Sequence, residues 1–276
     1  MKVFYFLFLF SACFKLKAQE LFVSSEPASN MSSKSIGIRL NNELMPPYKN
    51  ASTGVDNKYY MLRQNAELMW GINRKWMFHL NLYSGTFHQP YYKFEGINLY
   101  TKFRFLSNDG IQNHFRMAAY AKVSAINNAI QYNDINLQGD NSGFGGGIIA
   151  TQLLHKLAIS FTGGYNHSIN NIGHNLTSSQ PNFAYNYSLS TGYLLLPFKY
   201  KNYRETNVNL YIELLGKTNP QTSEKYIDIA PAVQFIIKSR MRLDIGYKRQ
   251  LTGNMIRINN QSFILKFEYN IFNAYK

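Results

Sequence analysis

Charged side chains recur at every second position in several short runs of this chain. The basic set is Arg39, Arg63, Lys102, Arg104, Arg116, Lys122, Arg242, Lys248 and Lys266, and the acidic set is Glu43, Glu67, Glu213, Asp228, Asp244 and Glu268. In each run they alternate with large apolar residues. A period of two puts every charge on one face if the runs are β-strands. Such a face supports two kinds of chemistry. A wall with excess cations favours polar or anionic solutes. A wall whose charges meet one another fills a narrow interior with ion pairs, and Arg39/Glu43 and Arg242/Asp244 are local candidates for that. The residues alone leave both readings open. The candidates for lining a pore are Arg39, Arg63, Glu67, Lys102, Arg104, Arg116, Lys122, Arg242, Asp244 and Lys248.

Other chemistry finds less support. A nucleophile and its base need neighbouring positions on one face. His167 and Ser168 are adjacent, so on a strand they point opposite ways, and His79 has Asn81 two residues on rather than a serine. There is no Asp-His dipeptide and no phosphate-binding glycine loop, so the chain does not read as an enzyme. His167 and His174 fall in one expected loop, and Met61, Met69 and Met77 project inward. These are ligand types for soft or borderline metals, but no compact motif joins them and such methionines are usually filler. Asp134, Asn136, Gln138 and Asp140 lack the acidic last ligand of a calcium loop. No metal site and no cofactor is expected. The basic residues are spread over many runs rather than gathered in one stripe, which argues against nucleic acid.

The elements that position these charges are strands. Ile36, Ile38, Leu40 and Leu44 oppose Ser35, Gly37, Arg39, Asn41 and Glu43. At the other end Phe263, Leu265, Phe267, Tyr269 and Ile271 oppose Ser262, Lys266, Glu268 and Asn270, with Ile264 the one exception. Ten more segments alternate between these two, near 60–70, 76–83, 97–105, 115–123, 143–153, 157–165, 183–195, 207–214, 227–237 and 241–250. The glycine-rich segment 143–153 has no clear facing, and Pro231 removes a ladder donor from the lipid side of its strand. The expectation is an all-β, membrane-spanning, antiparallel up-and-down barrel of about twelve strands, whose first and last strands pair. Twelve is even, so both termini lie on the periplasmic side. The connections 127–142 and 166–182 are long, whereas 71–75, 154–156 and 238–240 are short, the asymmetry of outer loops against periplasmic turns. Trp70 and Trp76 suit the inner lipid interface, and Tyr60, Tyr165, Tyr187 and Tyr247 the outer girdle. The competing architecture is a secreted β-sandwich with its apolar faces pressed together.

Composition is compatible with this. The chain has 276 residues, 21 of them Tyr, and a net charge of +14. Mean hydropathy is −0.29, and beyond the N-terminus no stretch is apolar enough for a membrane helix of about 20 residues. Lys2, the apolar run Val3–Phe10 and Ala18 before Gln19 read as a signal peptide over 1–18. Acylation of Cys13 is the alternative, though Phe10 and Ser11 fit its motif poorly. Cleavage at Ala18 leaves no cysteine, and losing Lys2, Lys15 and Lys17 leaves 26 basic against 15 acidic residues, or +11. Residues 19–33 then form a periplasmic leader and 34–276 the barrel.

Five stretches carry a family resemblance: EPASNMSSKSIGIRL (26–40), NHFRMAAYAKVS (113–124), GFGGGIIATQLLHKLAIS (143–160), TNVNLYIELLGKT (206–218) and APAVQFIIKSRMRLDIGYKRQL (230–251). The chain resembles a family of uncharacterised, transporter-like outer-membrane β-barrels of Bacteroidota-type bacteria. The resemblance implies a bacterial outer-membrane location, contact with lipid and lipopolysaccharide, and no catalytic residues; a link to metal handling is its weakest implication. The chain departs from the pattern at its end, where Lys276 follows Tyr275 in place of a terminal aromatic. The expected function is a passive channel or transporter component for small polar or anionic solutes. The alternative is a closed structural barrel partnered with a lipoprotein or envelope complex.

Overall fold

The computed structural model describes residues 22–49, 56–111, 113–198 and 205–275. The expected signal peptide at 1–18 lies outside them. Twelve antiparallel strands close into one barrel: β1 (Ser35–Met45), β2 (Met61–Gly71), β3 (Trp76–Gly85), β4 (Lys93–Asp109), β5 (Asn113–Ile126), β6 (Gly143–Leu154), β7 (Leu157–Ser168), β8 (Phe183–Leu196), β9 (Asn207–Asn219), β10 (Glu224–Ile237), β11 (Met241–Gly253) and β12 (Gln261–Ile271). Each strand pairs with its neighbours in sequence, and β1 pairs with β12 from Ile36 opposite Ile271 to Leu44 opposite Phe263. Closure leaves no free edge, which is what hydrocarbon demands of a spanning sheet.

Facing decides between barrel and sandwich. Phe263, Leu265 and Phe267 are 53, 48 and 40 % exposed, while Ser262 and Glu268 on the same strand are 0 and 2 % exposed. Polar residues are inside and apolar ones outside, the reverse of a sandwich core. The outer wall therefore meets lipid. Trp76 lies against Phe103, ring centroids 4.7 Å apart, beside the β2–β3 turn, and Tyr247 lies against Phe263 at 5.0 Å.

Local chemistry explains the irregular places. Pro231 is exposed on the outer wall, and the β10–β11 ladder passes from Ile229 opposite Arg249 to Ala232 opposite Gly246. Gly143 has φ +152°, and a Cβ there would stand 2.0 Å from the His167 carbonyl oxygen. Gly143→Val is thus expected to destabilise the barrel by roughly 1–3 kcal/mol, read as a lower urea midpoint in detergent; an unchanged midpoint would refute the steric account.

The interior holds two segments. The leader expected before β1 instead runs, over 22–30, inside the barrel, and Ser32 and Ser33 are exposed where it meets the β2–β3 turn. The β5–β6 loop, 127–142, expected as a long outer loop, folds inward as well. At the opposite end four of the five connections are short, β6 and β7 being joined by His155 and Lys156 alone, while 197–206 between β8 and β9 is longer. One loop at the long-loop end, 220–223, is also short.

Candidate functional site

The inner wall's charges arise from strand register. Arg39 stands directly opposite Glu67 on β2 and Glu268 on β12. Its guanidinium reaches Glu67 at 2.8 Å, Glu268 at 2.8 Å and Glu26 of the N-terminal segment at 2.9 Å. The expected Arg39/Glu43 pair does not form. Those residues are four apart on one strand, about 13 Å, whereas cross-strand neighbours lie about 5 Å apart. Glu43 instead takes Lys248 at 2.7 Å, with Asn259 and Ser262. Arg242 does meet Asp244, at 3.0 Å, and also Glu268 at 3.3 Å.

The N-terminal segment plugs the short-turn half of the lumen. Glu213, 0 % exposed, accepts hydrogen bonds from the amides of Val23, Ser24 and Ser25 at 2.9, 2.6 and 2.9 Å, and from the Ser25 and Ser190 hydroxyls. Lys102 donates to the carbonyls of Pro27 and Ser29, and the Ala28 amide donates to Thr151. Phe22 and Val23 pack on Leu153, Tyr211, Ala232 and Ile264. This explains both sequence anomalies: Ile264 on a polar face and the ambiguous facing of β6, whose Ile149 and Leu153 point inward to meet the plug.

A lid closes the other half. Loop 127–142 spans the lumen: Lys217 of β9 pairs with Asp134 and donates to the Ile135 carbonyl, while Arg63 of β2 holds Glu95 at 2.8 Å and Asp140 at 2.6 Å. The β11–β12 loop joins it, with Arg257 paired to Asp228 and Asn133 donating to the Ile256 carbonyl. Burial raises the Asp140 carboxyl pKa, but Arg63 and then His88, 2.7 Å away, outweigh it and hold the pKa well below the usual carboxylate range. A depressed carboxylate stabilises above its ordinary value, about 3.9, and loses that contribution as pH falls through the folded value. The lid is therefore expected to resist pepsin at Tyr132 and Leu137 at pH 4 and to be cut progressively faster as pH falls from there towards 1, with Asp140→Asn already cut at pH 4. Equal cutting of the two proteins at pH 4 would contradict this.

Between plug and lid lies a cavity of about 340 Å³. Of the ten candidate residues, Arg39, Arg63, Glu67, Lys122 and Lys248 line it. The other five do not. Lys102 is spent on the plug, Arg116 reaches Asp109 and Ser29, Arg104 sits at the mouth on the Arg74 carbonyl, and Arg242 and Asp244 are buried together in the wall. Arg104→Gln is expected to leave ion selectivity unchanged in planar bilayers; a shifted reversal potential would put Arg104 in the pore. Sequence reasoning missed Glu26, Tyr100, Tyr120, Lys217 and Arg257, which also line the cavity.

The metal candidates separate. His167 is on β7 rather than in a loop, packed on Phe144 at 5.0 Å. Asp134 and Asp140 are engaged by Lys217 and Arg63. Glu26, Glu67 and His79 bring ligand atoms within 4.8 Å of one another, but Arg39 contacts both carboxylates and Lys102 lies 3.6 Å from Glu26. The cluster is an ion-pair network whose negative charge is already met.

A closed, lipid-facing wall around a polar lumen defines an outer-membrane β-barrel. The chain is similar to the crystal structure of an outer-membrane channel from Pseudomonas putida F1, with TM-score 0.60, 11 % identity, and coverage of 91 % of this chain and all of that one. A bacterial polysaccharide outer membrane secretin (TM-score 0.42, 6 % identity, 86 and 97 % coverage) and the CymD monoaromatic hydrocarbon channel (0.40, 7 %, 89 and 90 %) superpose less well. At these identities the first likeness speaks to fold, and the other two carry no functional information. No protein-family model matches the chain, and no curated protein does.

Proposed function

We propose that this is a passive outer-membrane channel for small polar or anionic solutes, seen with both entrances closed. The supporting observation is the polar cavity that lies between plug and lid. A purely structural barrel has no need of such a chamber. For solute to pass, the closures must move, and the plug is the easier one. Among the described residues its covalent link to the wall is at Lys34, so it can leave without breaking a strand ladder. The same proposal places the chain with the Bacteroidota-type barrels on its five matching stretches, sets its outer rim against lipopolysaccharide, and gives it no catalytic step.

One observation favours a closed barrel serving a structural role beside a lipoprotein or another envelope protein. Nearly all the lumen's charges are already paired. Planar-bilayer recording separates the two readings. The channel reading expects discrete current steps, larger or more frequent after deletion of 22–31. No current at any voltage from either protein, both shown folded by heat-modifiable mobility, would leave the structural reading standing.

A further inference from the structure

One charged group in the chamber has nothing to answer it. The cations lining the cavity outnumber the carboxylates by seven to six. Arg39, Arg63, Lys217, Lys248 and Arg257 each hold at least one carboxylate. Lys266 donates to the Val23 carbonyl. Among the described residues, Lys122 alone of the seven meets neither a carboxylate nor a hydrogen-bond acceptor. Lys122 and Lys266 are thus the two lining cations without a carboxylate, and of these only Lys266 has a backbone acceptor.

The wall beside it is bare and polar. Lys122 stands opposite Gly145, which stands opposite Asn166; one row further, Tyr120 faces Gly147, Gly164 and Asn186 across consecutive strands. Three inward glycines carry no side chain here; the Tyr120 ring lies over Gly147 and Gly164, and the Asn166 amide oxygen lies over Gly145. Asn166, Asn186, Thr162 and Ser188 provide amides and hydroxyls around the same part of the cavity. Lys122 is half-buried, and an ammonium in a polar recess with no acceptor of its own is best answered by one negative charge. A volume of 340 Å³ is at the small end of ligand pockets, about 300–1,000 Å³.

We propose that Lys122 anchors a subsite for the carboxylate of a small hydroxylated monoacid, its hydroxyls meeting Asn166, Asn186 and Thr162. This rests on the channel reading for the ligand's route into the chamber. The test uses the full mature chain in detergent, with gluconate and glucose as probes. These are matched in size and hydroxylation and differ in charge. Equilibrium dialysis should show gluconate bound at least about tenfold more tightly than glucose, the scale of one charge-assisted hydrogen bond. Lys122→Gln should erase that preference, and Lys122→Arg should keep it within about threefold. Wild-type protein with no preference, or Lys122→Gln that retains it while folded, overturns the proposal. Phosphate displacing gluconate at lower concentration than gluconate itself binds would overturn the monoanion assignment. Conductance is read separately. Gluconate binding without current defeats the channel reading and leaves the subsite, whereas current without gluconate preference does the reverse.

Discussion

Glu213→Ala is expected to convert a mostly closed barrel into a mostly open one. The carboxylate accepts three consecutive backbone amides and two hydroxyls in a site with no solvent access. Each buried group left without a partner costs about 1–3 kcal/mol. Ordering the plug's backbone already costs about 1–2 kcal/mol per residue, so the plug has little margin to lose. A loss of about 3 kcal/mol shifts the plugged-to-unplugged ratio roughly a hundredfold. In bilayers this appears as a large rise in open probability, with the urea midpoint of the wall little changed because no strand ladder is broken. A lock gives the converse. The Ser25 and Ser190 hydroxyl oxygens are 2.7 Å apart, and the chain's one cysteine, Cys13, falls in the expected signal peptide. Ser25→Cys with Ser190→Cys, oxidised in the Glu213→Ala background, should return the barrel to low conductance, and reduction should reopen it. An open probability insensitive to Glu213 and to the lock would show that the plug does not gate.

Arg63→Ala should release the lid and weaken the barrel together. Arg63 holds two carboxylates, Glu95 and Asp140, donates to the Gly139 carbonyl at 3.3 Å, and stacks over Phe87 with its guanidinium carbon 4.3 Å from the ring centroid. Glu95 is 1 % exposed, and alanine leaves its charge buried and alone. Removing one partner from such a pair costs about 3–5 kcal/mol. Two readouts should move: chymotrypsin should cut at Tyr132 or Leu137 in the variant and not in the wild type, and the urea midpoint should fall. Neutralising the stranded acids, in Arg63→Ala with Glu95→Gln and Asp140→Asn, should restore much of the midpoint while the lid stays cleavable. A lid that stays resistant in Arg63→Ala would mean that Lys217 and Arg257 suffice to hold it.

The two closures differ in how they are held. Wall side chains hold the backbone of both closures, and the lid adds the charged pairs of Arg63 with Asp140 and Lys217 with Asp134. That difference bears on what a reader of the sequence can find. Arg63 and Asp140 are visible as charges, even though their pairing is not. The amides of Val23, Ser24 and Ser25 look like those of any residue, so nothing in the string marks them as partners of Glu213, nearly 190 positions away.

The sequence by itself determined the wall. Side chains alternate across a strand, so a period of two in Phe263–Ile271 or Ile36–Leu44 assigns each residue to lipid or lumen without reference to any other strand. Twelve such runs, and the pairing of the first with the last, follow from that geometry. Only the tertiary structure decided what fills the lumen. Arg39 chose Glu67 and Glu268 over Glu43 because register brings cross-strand residues closer than residues four apart on one strand. The plug left a trace only where it needed grease, at Ile264, Ile149 and Leu153, which break the alternation because a second segment packs on them from inside.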